Sequence, residues 1–282
     1  MKETKKVAIQ GIKGSFHDIA AHRYFEGEQI QLLCFDTFEE VFECLHQDQD
    51  AVALVAIENT IAGSLLHNYE LLRESGATIV GEHKLRISHS IMCLPEDNWA
   101  DITEVNSHPV ALMQCRDFLA SHPSMKVEVA DTAGAAAQIS MLRQRGHAAI
   151  CHKDAAEIYG MKVLETGIET NKHNFTRFLV LSRPEKAGQM RKQQDADKAS
   201  LAFTLPHEEG SLSAILSVLS FYKLNLTKIQ SLPIIGKEWQ YMFYVDLSFD
   251  QDRRFHQAVN AISPLVSELK ILGEYKDGKQ SI

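Results

Sequence analysis

A hydroxyl and a guanidinium stand side by side in Asn174-Phe175-Thr176-Arg177-Phe178, each flanked by phenylalanine, just before Leu179-Val180-Leu181. The apolar tripeptide reads as a buried strand, so both polar groups sit where that strand begins. An arginine there needs an anionic partner, because an unpaired charge out of water is very costly. Two chemistries meet that need. One is an internal arginine–carboxylate pair with Thr176 as a β-former, and structural ion pairs of this kind are common. The other is a strand-edge site in which Arg177 binds an anion and Thr176 donates a proton.

Other polar groups fall at comparable places. Residues 51–57 are a continuous apolar run, suited to a strand buried on both faces, and they end in Glu58-Asn59-Thr60. Ligands of open α/β sheets bind beyond the carboxyl ends of strands, where Glu58 and Asn59 lie. The plain alternative for Glu58 is a surface carboxylate near a helix start. Ser107 closes another strand, His108-Pro109 lead into a helix, and Gln114 lies within it. Cys115 reads as a core residue of that helix, with no base in view to activate it. Asp131 precedes a helix, and an N-cap role suffices to explain it. Near the start, Gly11-Ile12-Lys13-Gly14-Ser15-Phe16 turns a strand into a helix. The loop lacks the G-x-G-x-x-G spacing of a dinucleotide site. It leaves a helix N-terminus able to receive an anion, or simply Ser15 as N-cap with Asp18 in a capping-box role.

The elements that position these groups alternate between strand and helix through residue 165, which argues an α/β fold with mostly parallel sheets. The 282 residues, 45% hydrophobic and 23% charged, suit a soluble globular protein of two domains. Residues 1–82 and 166–183 are expected to form one lobe and residues 83–165 the other, with the site in the cleft between them. Residues 184–198 are polar and charged and read as a linker. Residues 199–282 follow a βαββαβ, ferredoxin-like order. No run approaches the ~20 apolar residues of a membrane span, and the first apolar run, residues 7–9, is too short for a signal-peptide core. The net charge of −8 argues against nucleic acid as the main partner. Five cysteines without C-x-x-C suit free thiols in a reducing cytoplasm. No H-E-x-x-H and no cysteine–histidine cluster of zinc spacing occurs, so no metal is expected.

Several of these blocks, in order, resemble the prephenate dehydratases, which make phenylpyruvate on the route to phenylalanine. Asn174-Phe175-Thr176-Arg177-Phe178 is similar to that family's signature. Gly11 to Phe16 resembles its G-x-x-G-T/S-F opening, and Ala56-Ile57-Glu58-Asn59-Thr60 its P-I-E-N-S block. Ser107-His108-Pro109 with Gln114-Cys115 resembles S-H-P-x-x-x-x-Q-C, and Asp131-Thr132-Ala133 a D/S-T-A run. The resemblance covers nearly the whole chain. Residues 199–282 look like an ACT regulatory domain, with Asn225-Leu226-Thr227 and Trp239-Gln240-Tyr241-Met242-Phe243 close to the dehydratase subtype.

The resemblance implies a two-lobed catalytic domain like a type 2 periplasmic binding protein, plus the ACT domain. It implies prephenate as substrate and no metal or organic cofactor. Thr176 is then the candidate proton donor, with Glu58 or a water behind it, and His108 is its substitute. Arg177 would hold the pyruvyl carboxylate in bidentate fashion. Asn59, Ser107, Gln114 and Asn174 would orient ring and hydroxyl, with Gly14, Ser15, Phe178 and Asp131 as further binding residues. The family binds phenylalanine between paired ACT domains. Here those segments are Gly210-Ser211-Leu212 and Gln230-Ser231-Leu232-Pro233, with Asn225 and Leu226 nearby. The family's acidic and arginine side chains are absent from the second segment. The expected assembly is a homodimer or homotetramer through these domains. Two alternatives are an arogenate dehydratase and a non-catalytic sensor of amino acids or other metabolites, since fold does not fix function.

Overall fold

The computed structural model describes residues 4–122, 124–191, 196–278 and 280–281. The chain opens with β1 (Lys5–Gln10), α1 (Phe16–Tyr24), β2 (Ile30–Phe35), α2 (Phe38–Gln47) and β3 (Val52–Asn59). A short strand β4 (Gly63–Ser64) leads to α3 (Leu66–Ser75) and β5 (Thr78–Arg86). Next come β6 (Ser90–Cys93), β7 (Glu104–Ser107), α4 (Pro109–Gln114), α5 (Arg116–Ser121) and β8 (Met125–Glu128). They are followed by α6 (Thr132–Leu142), β9 (His147–Cys151), α7 (Asp154–Tyr159) and β10 (Lys162–Thr166). The chain returns in β11 (Phe175–Ser182) and α8 (Pro184–Arg191). It finishes with β12 (Lys198–Thr204), α9 (Ser211–Phe221), β13 (Asn225–Pro233), β14 (Tyr241–Ser248), α10 (Asp252–Ile262), β15 (Glu268–Tyr275) and β16 (Gln280–Ser281).

Two sheets result. Strands β10-β6-β9-β7-β8 form one, and the order β13-β14-β12-β15-β5-β11-β3-β1-β2 forms the other. Both are mixed rather than mostly parallel. In the larger sheet β1 pairs parallel with β2 and β3, while β11 runs back antiparallel between β3 and β5. The return strand β11 runs against both its neighbours, and the order of strands along the chain does not reveal that.

On β3 the apolar run serves both faces. Val52, Leu54 and Ala56 pack with Ile19, Ala20 and Phe178, whereas Ala53, Val55 and Ile57 pack with α2, α3 and Tyr244. This period-2 division also splits β11. Phe178 and Val180 belong to the first core, Leu179 and Leu181 to the second. The α2 helix starts at a capping box in which Thr37 accepts from Glu40 and Glu40 returns the bond.

Residues 198–275 make a βαββαβ unit of antiparallel pairs, and its outer strand β15 lies along β5. Closeness there depends on Gly273, because a Cβ at that position would lie 2.6 Å from Ile79 Cβ. Strand β16 continues on the same side of β5. The expected linker differs from the reading of its composition. Residues 184–191 form α8, Ala187 is buried in the first core, and Lys198 is already buried within β12. Residues 192–195 of that expected linker lie outside the described residues.

Candidate active site

A cleft of about 490 Å³ separates the two lobes. Its first wall carries the starts of α1 and α2 (Ser15, Phe16 and His17; Thr37, Phe38 and Glu39), with Asn59, Thr176 and Phe178 from the sheet. His89, His108, Gln114 and Asp131 belong to the second wall. Among the described residues that line the cleft there is no lysine or arginine.

A chain of side-chain hydrogen bonds crosses the cleft floor. Asn59 Oδ1 accepts from the backbone amides of Ile61 and Ala62, both at 2.9 Å. Its Nδ2 therefore faces the other way, donating to Asn174 Oδ1 at 2.8 Å and Thr176 Oγ1 at 3.0 Å. Asn174 in turn donates to Gln114 Oε1 at 3.0 Å, and Gln114 Nε2 lies 3.4 Å from Asn59 Oδ1. His89 Nε2 also reaches Gln114 Oε1, at 2.8 Å. Thr176 Oγ1 is thus an acceptor within the chain, and its own hydroxyl proton is left to donate elsewhere.

Three histidines touch this space. His17 Nε2 accepts from the Ala56 amide at 3.3 Å, and burial pushes its pKa down to about 4, so the ring is neutral. Burial also lowers His89. His108 Nδ1 accepts from the Val110 amide at 3.2 Å as a helix cap. Burial raises the Asp131 carboxyl, against the amides of Gly134, Ala133 and Thr132 at the start of α6.

Not every expected site residue lies here. Arg177 is buried on the opposite face of β11 from Thr176. Its Nε donates to Glu82 at 2.6 Å, its Nη1 to Asp246 at 2.5 Å and Glu58 at 3.2 Å, and its Nη2 to Tyr275 at 3.0 Å. Burial works against its charge, but Asp246, Tyr275 and Glu82 hold it well above the ordinary guanidinium value. Of the two chemistries open for Arg177, the internal ion pair is the one seen, and a substrate clamp is not.

Glu58 faces the same cluster and binds Lys228 of β13 as well as Arg177. Burial alone would raise its carboxyl, and Lys228 and Arg177 bring it below the usual value. The cause of its orientation is a bulge. Phe178 pairs with Ala56 but Arg177 pairs with Glu58, so Ile57 is an extra residue on β3. Alternation from cleft-lining Ala56 would aim Glu58 into the cleft, and the bulge turns it away.

Ser107 is fully buried and donates to the Ile150 carbonyl at 2.6 Å, a bond within the second lobe's sheet. Gly14 is a packing position: its amide is held by Asp18, and a Cβ there would lie 3.2 Å from Ala155 Cβ of α7. Cys115 is buried and its thiol is pushed up to about 12, as expected of a core residue. Asn59, Gln114, Thr176, Phe178, Ser15, His108 and Asp131 line the cleft, and Asn174 lies directly behind them. Sequence reasoning missed His17 and His89, together with the first turn of α2. The available signal for His89 was a histidine just before the apolar strand Ile91-Met92-Cys93, and it is a weak one because Ser88 and Ser90 flank it. In the last unit, Asp252, His256 and Glu274 form a group of possible metal-ligand type, remote from the cleft.

Comparison with known proteins gives consistent relatives. The profile described as prephenate dehydratase matches residues 7–186. The chain is 34% identical to the Arabidopsis thaliana protein named arogenate dehydratase/prephenate dehydratase 2, chloroplastic, covering 96% of this chain and 72% of that one. Among solved structures, the prephenate dehydratase of Staphylococcus aureus subsp. aureus Mu50 superposes with a TM-score of 0.80 at 25% identity, covering 96% of this chain and 100% of that one. A structure described as GqqA, a novel type of quorum quenching acylases, superposes with a TM-score of 0.85 at 27% identity, covering 97% and 98%.

Proposed function

The chain belongs to the prephenate dehydratase family, and from that premise we propose that it converts prephenate to phenylpyruvate in the cleft between its lobes. In that reaction the carbon–carbon bond to the ring carboxylate breaks and releases carbon dioxide. Its electron pair enters the ring, and the ring carbon–oxygen bond breaks. The oxygen takes up one proton and leaves as water. Aromatisation drives the reaction, and the departing oxygen needs a positioned donor, typically worth ~10²–10⁴-fold.

One observation carries the reading. Thr176 Oγ1 accepts from Asn59 Nδ2 at 3.0 Å on the cleft floor, so its proton is free to meet a leaving hydroxyl. A threonine is a weak acid, and its contribution is a hydrogen bond to the departing oxygen. Asp131, whose burial favours the protonated form, and His108 are the lining groups suited to complete the transfer. With Arg177 engaged elsewhere, the first-turn amides of α1 and α2 are the groups suited to the surviving carboxylate, since those of α6 serve Asp131. Helix N-termini favour anions without a formal cation. Phe16, Phe38 and Phe178 offer an apolar wall to the ring.

Asp36, Glu39 and Asp131 also line the cleft, and this favours a second reading. A carboxylate there would attract the side-chain amine of arogenate, the aminated substrate. Purified protein supplied with prephenate and, separately, with arogenate tests both, by following phenylpyruvate and phenylalanine. Turnover of neither substrate would refute both readings and leave the metabolite sensor.

We read residues 199–282 as an ACT module that binds phenylalanine near Gly210, Ser211, Leu212, Asn225, Leu226, Gln230 and Ser231. Gly210 precedes α9 as its N-cap with φ of 79°, and β13 stands at one end of the larger sheet, where a second copy can pair. The proposed assembly is a homodimer or homotetramer, and the proposed setting is the cytoplasm, in keeping with five free cysteines. No helix among the described residues is long and apolar enough to cross a membrane.

A further inference from the structure

We propose that His89 is a positioning residue for the dehydration: its Nε2–H fixes which way the Gln114 amide faces across the cleft. The proposal rests on the reading that Asn59 and Thr176 carry the reaction. It follows from counting donors and acceptors along the chain of side chains.

The count starts at two groups that cannot turn over, the backbone amides of Ile61 and Ala62. They require Asn59 Oδ1 on their side, which sends Asn59 Nδ2 toward Asn174 and Thr176. Asn174 must then accept with Oδ1 and donate with Nδ2, so Gln114 must receive it with Oε1. The atom of His89 that meets the same oxygen must therefore carry a proton. A neutral ring has one N–H, and this chain assigns it to Nε2. The bare Nδ1 agrees with its surroundings, since among the described residues it is buried with no hydrogen-bond partner. The ring is held in place by the edge of Phe16 at 5.4 Å, and the backbone by Glu169, which accepts from the His89 amide at 2.9 Å.

Two donors, His89 and Asn174, thus lock Gln114 Oε1 on their side and turn its NH₂ toward Asn59 Oδ1. With the His89 donor gone, one of the two locks is lost. A reversed Gln114 would set NH₂ against the NH₂ of Asn174 and oxygen against Asn59 Oδ1, disturbing the amide that orients Thr176.

The test uses full-length protein with His89→Leu, His89→Gln and Thr176→Ala, and reads kcat and KM per folded molecule. A glutamine can place an N–H where Nε2 stands. His89→Leu is expected to lower kcat by about 10–100-fold, the loss of one buried hydrogen bond at the site, with KM changing much less. His89→Gln is expected to recover most of it. A merely structural role would lower the folded fraction and leave kcat of the folded molecules alone, which would overturn the proposal. If His89→Leu does not fold, His89→Asn replaces it, because its shorter amide reaches only the Nδ1 position. Equal activity of the Gln and Asn variants then overturns the proposal. An inactive Thr176→Ala beside a fully active His89→Leu sinks this inference alone, whereas a fully active Thr176→Ala sinks the catalytic reading and this inference with it.

Discussion

Replacing Arg177 by methionine should damage the fold and not the grip on substrate. The guanidinium serves Glu82, Asp246, Glu58 and Tyr275. When it is removed, Lys198 still faces Glu82 and Lys228 still faces Glu58. Asp246, 5% exposed, keeps the Ser200 hydroxyl but loses the cation beside it. Stripping one partner from a buried pair costs about 3–5 kcal/mol. For a protein of this size that lowers Tm by about 6–20 °C. Arg177→Lys keeps a charge on one nitrogen in place of three, and its loss should be smaller, about 1–3 kcal/mol. Urea unfolding with linear extrapolation measures both, and steady-state kinetics below the transition should find KM for prephenate little changed. Asp246→Asn added to Arg177→Met should restore part of the stability by removing the orphaned charge. A well-folded Arg177→Met with an unchanged urea midpoint and KM raised about tenfold or more would refute the reasoning and return Arg177 to the substrate.

Thr176→Ala should lower kcat by ~10²–10⁴-fold with little change in KM, and Thr176→Ser should regain much of it; turnover near the wild-type rate would remove Thr176 as donor. Gly273→Ala should cost about 1–3 kcal/mol in urea unfolding, because the new methyl meets Ile79 where β15 lies along β5; an unchanged midpoint would mean that this junction is loose. Stability should also fall with acid in two stages. The His17 pKa is lowered from 6.5 to about 4 in the folded protein, so its contribution is complete above pH 6.5 and lost as pH falls toward 4. Glu58 and Asp277 are held below the usual carboxylate range, so theirs is lost only below the ordinary carboxylate value, near pH ~4. A urea midpoint that stays flat from pH 7 to pH 4 would contradict the first stage, and His17→Gln should shrink it without removing it, because burial also lowers His83, His89 and His152.

Residue spacing located the cleft but not the direction of every side chain. The apolar run before Glu58 and the placement of Thr176 at the start of a strand were visible in the sequence, and so was the alternation of strands and helices. Which face Glu58 would take was not, because one extra residue at Ile57 inverts the count. Neighbours on β11 point oppositely, so Thr176 and Arg177 could not both face the substrate, a consequence of strand periodicity alone. Ser107 was misjudged for a different reason: a hydroxyl at a strand end can close a bond inside the sheet as readily as it can meet a ligand. His89 carried no motif, and its role depends on partners 25 and more residues away.

The sheet that runs from β2 to β13 makes a mechanical unit of two parts that composition suggested were joined by a flexible tether. The first lobe and the C-terminal unit share hydrogen-bonded strands and a buried charge cluster, so together they act as a plate. The second lobe joins that plate through two short passages, residues 87–89 and 167–174. Widening the cleft therefore means swinging the second lobe about those passages, and Gln114 travels with it while Asn59 and Thr176 stay behind. The Gln114–Asn59 contact then works as a latch that holds only when the lobes are shut. Hydrogen exchange should accordingly find β5, β11 and β15 opening together; separate opening of β15 would show that the plate is two pieces.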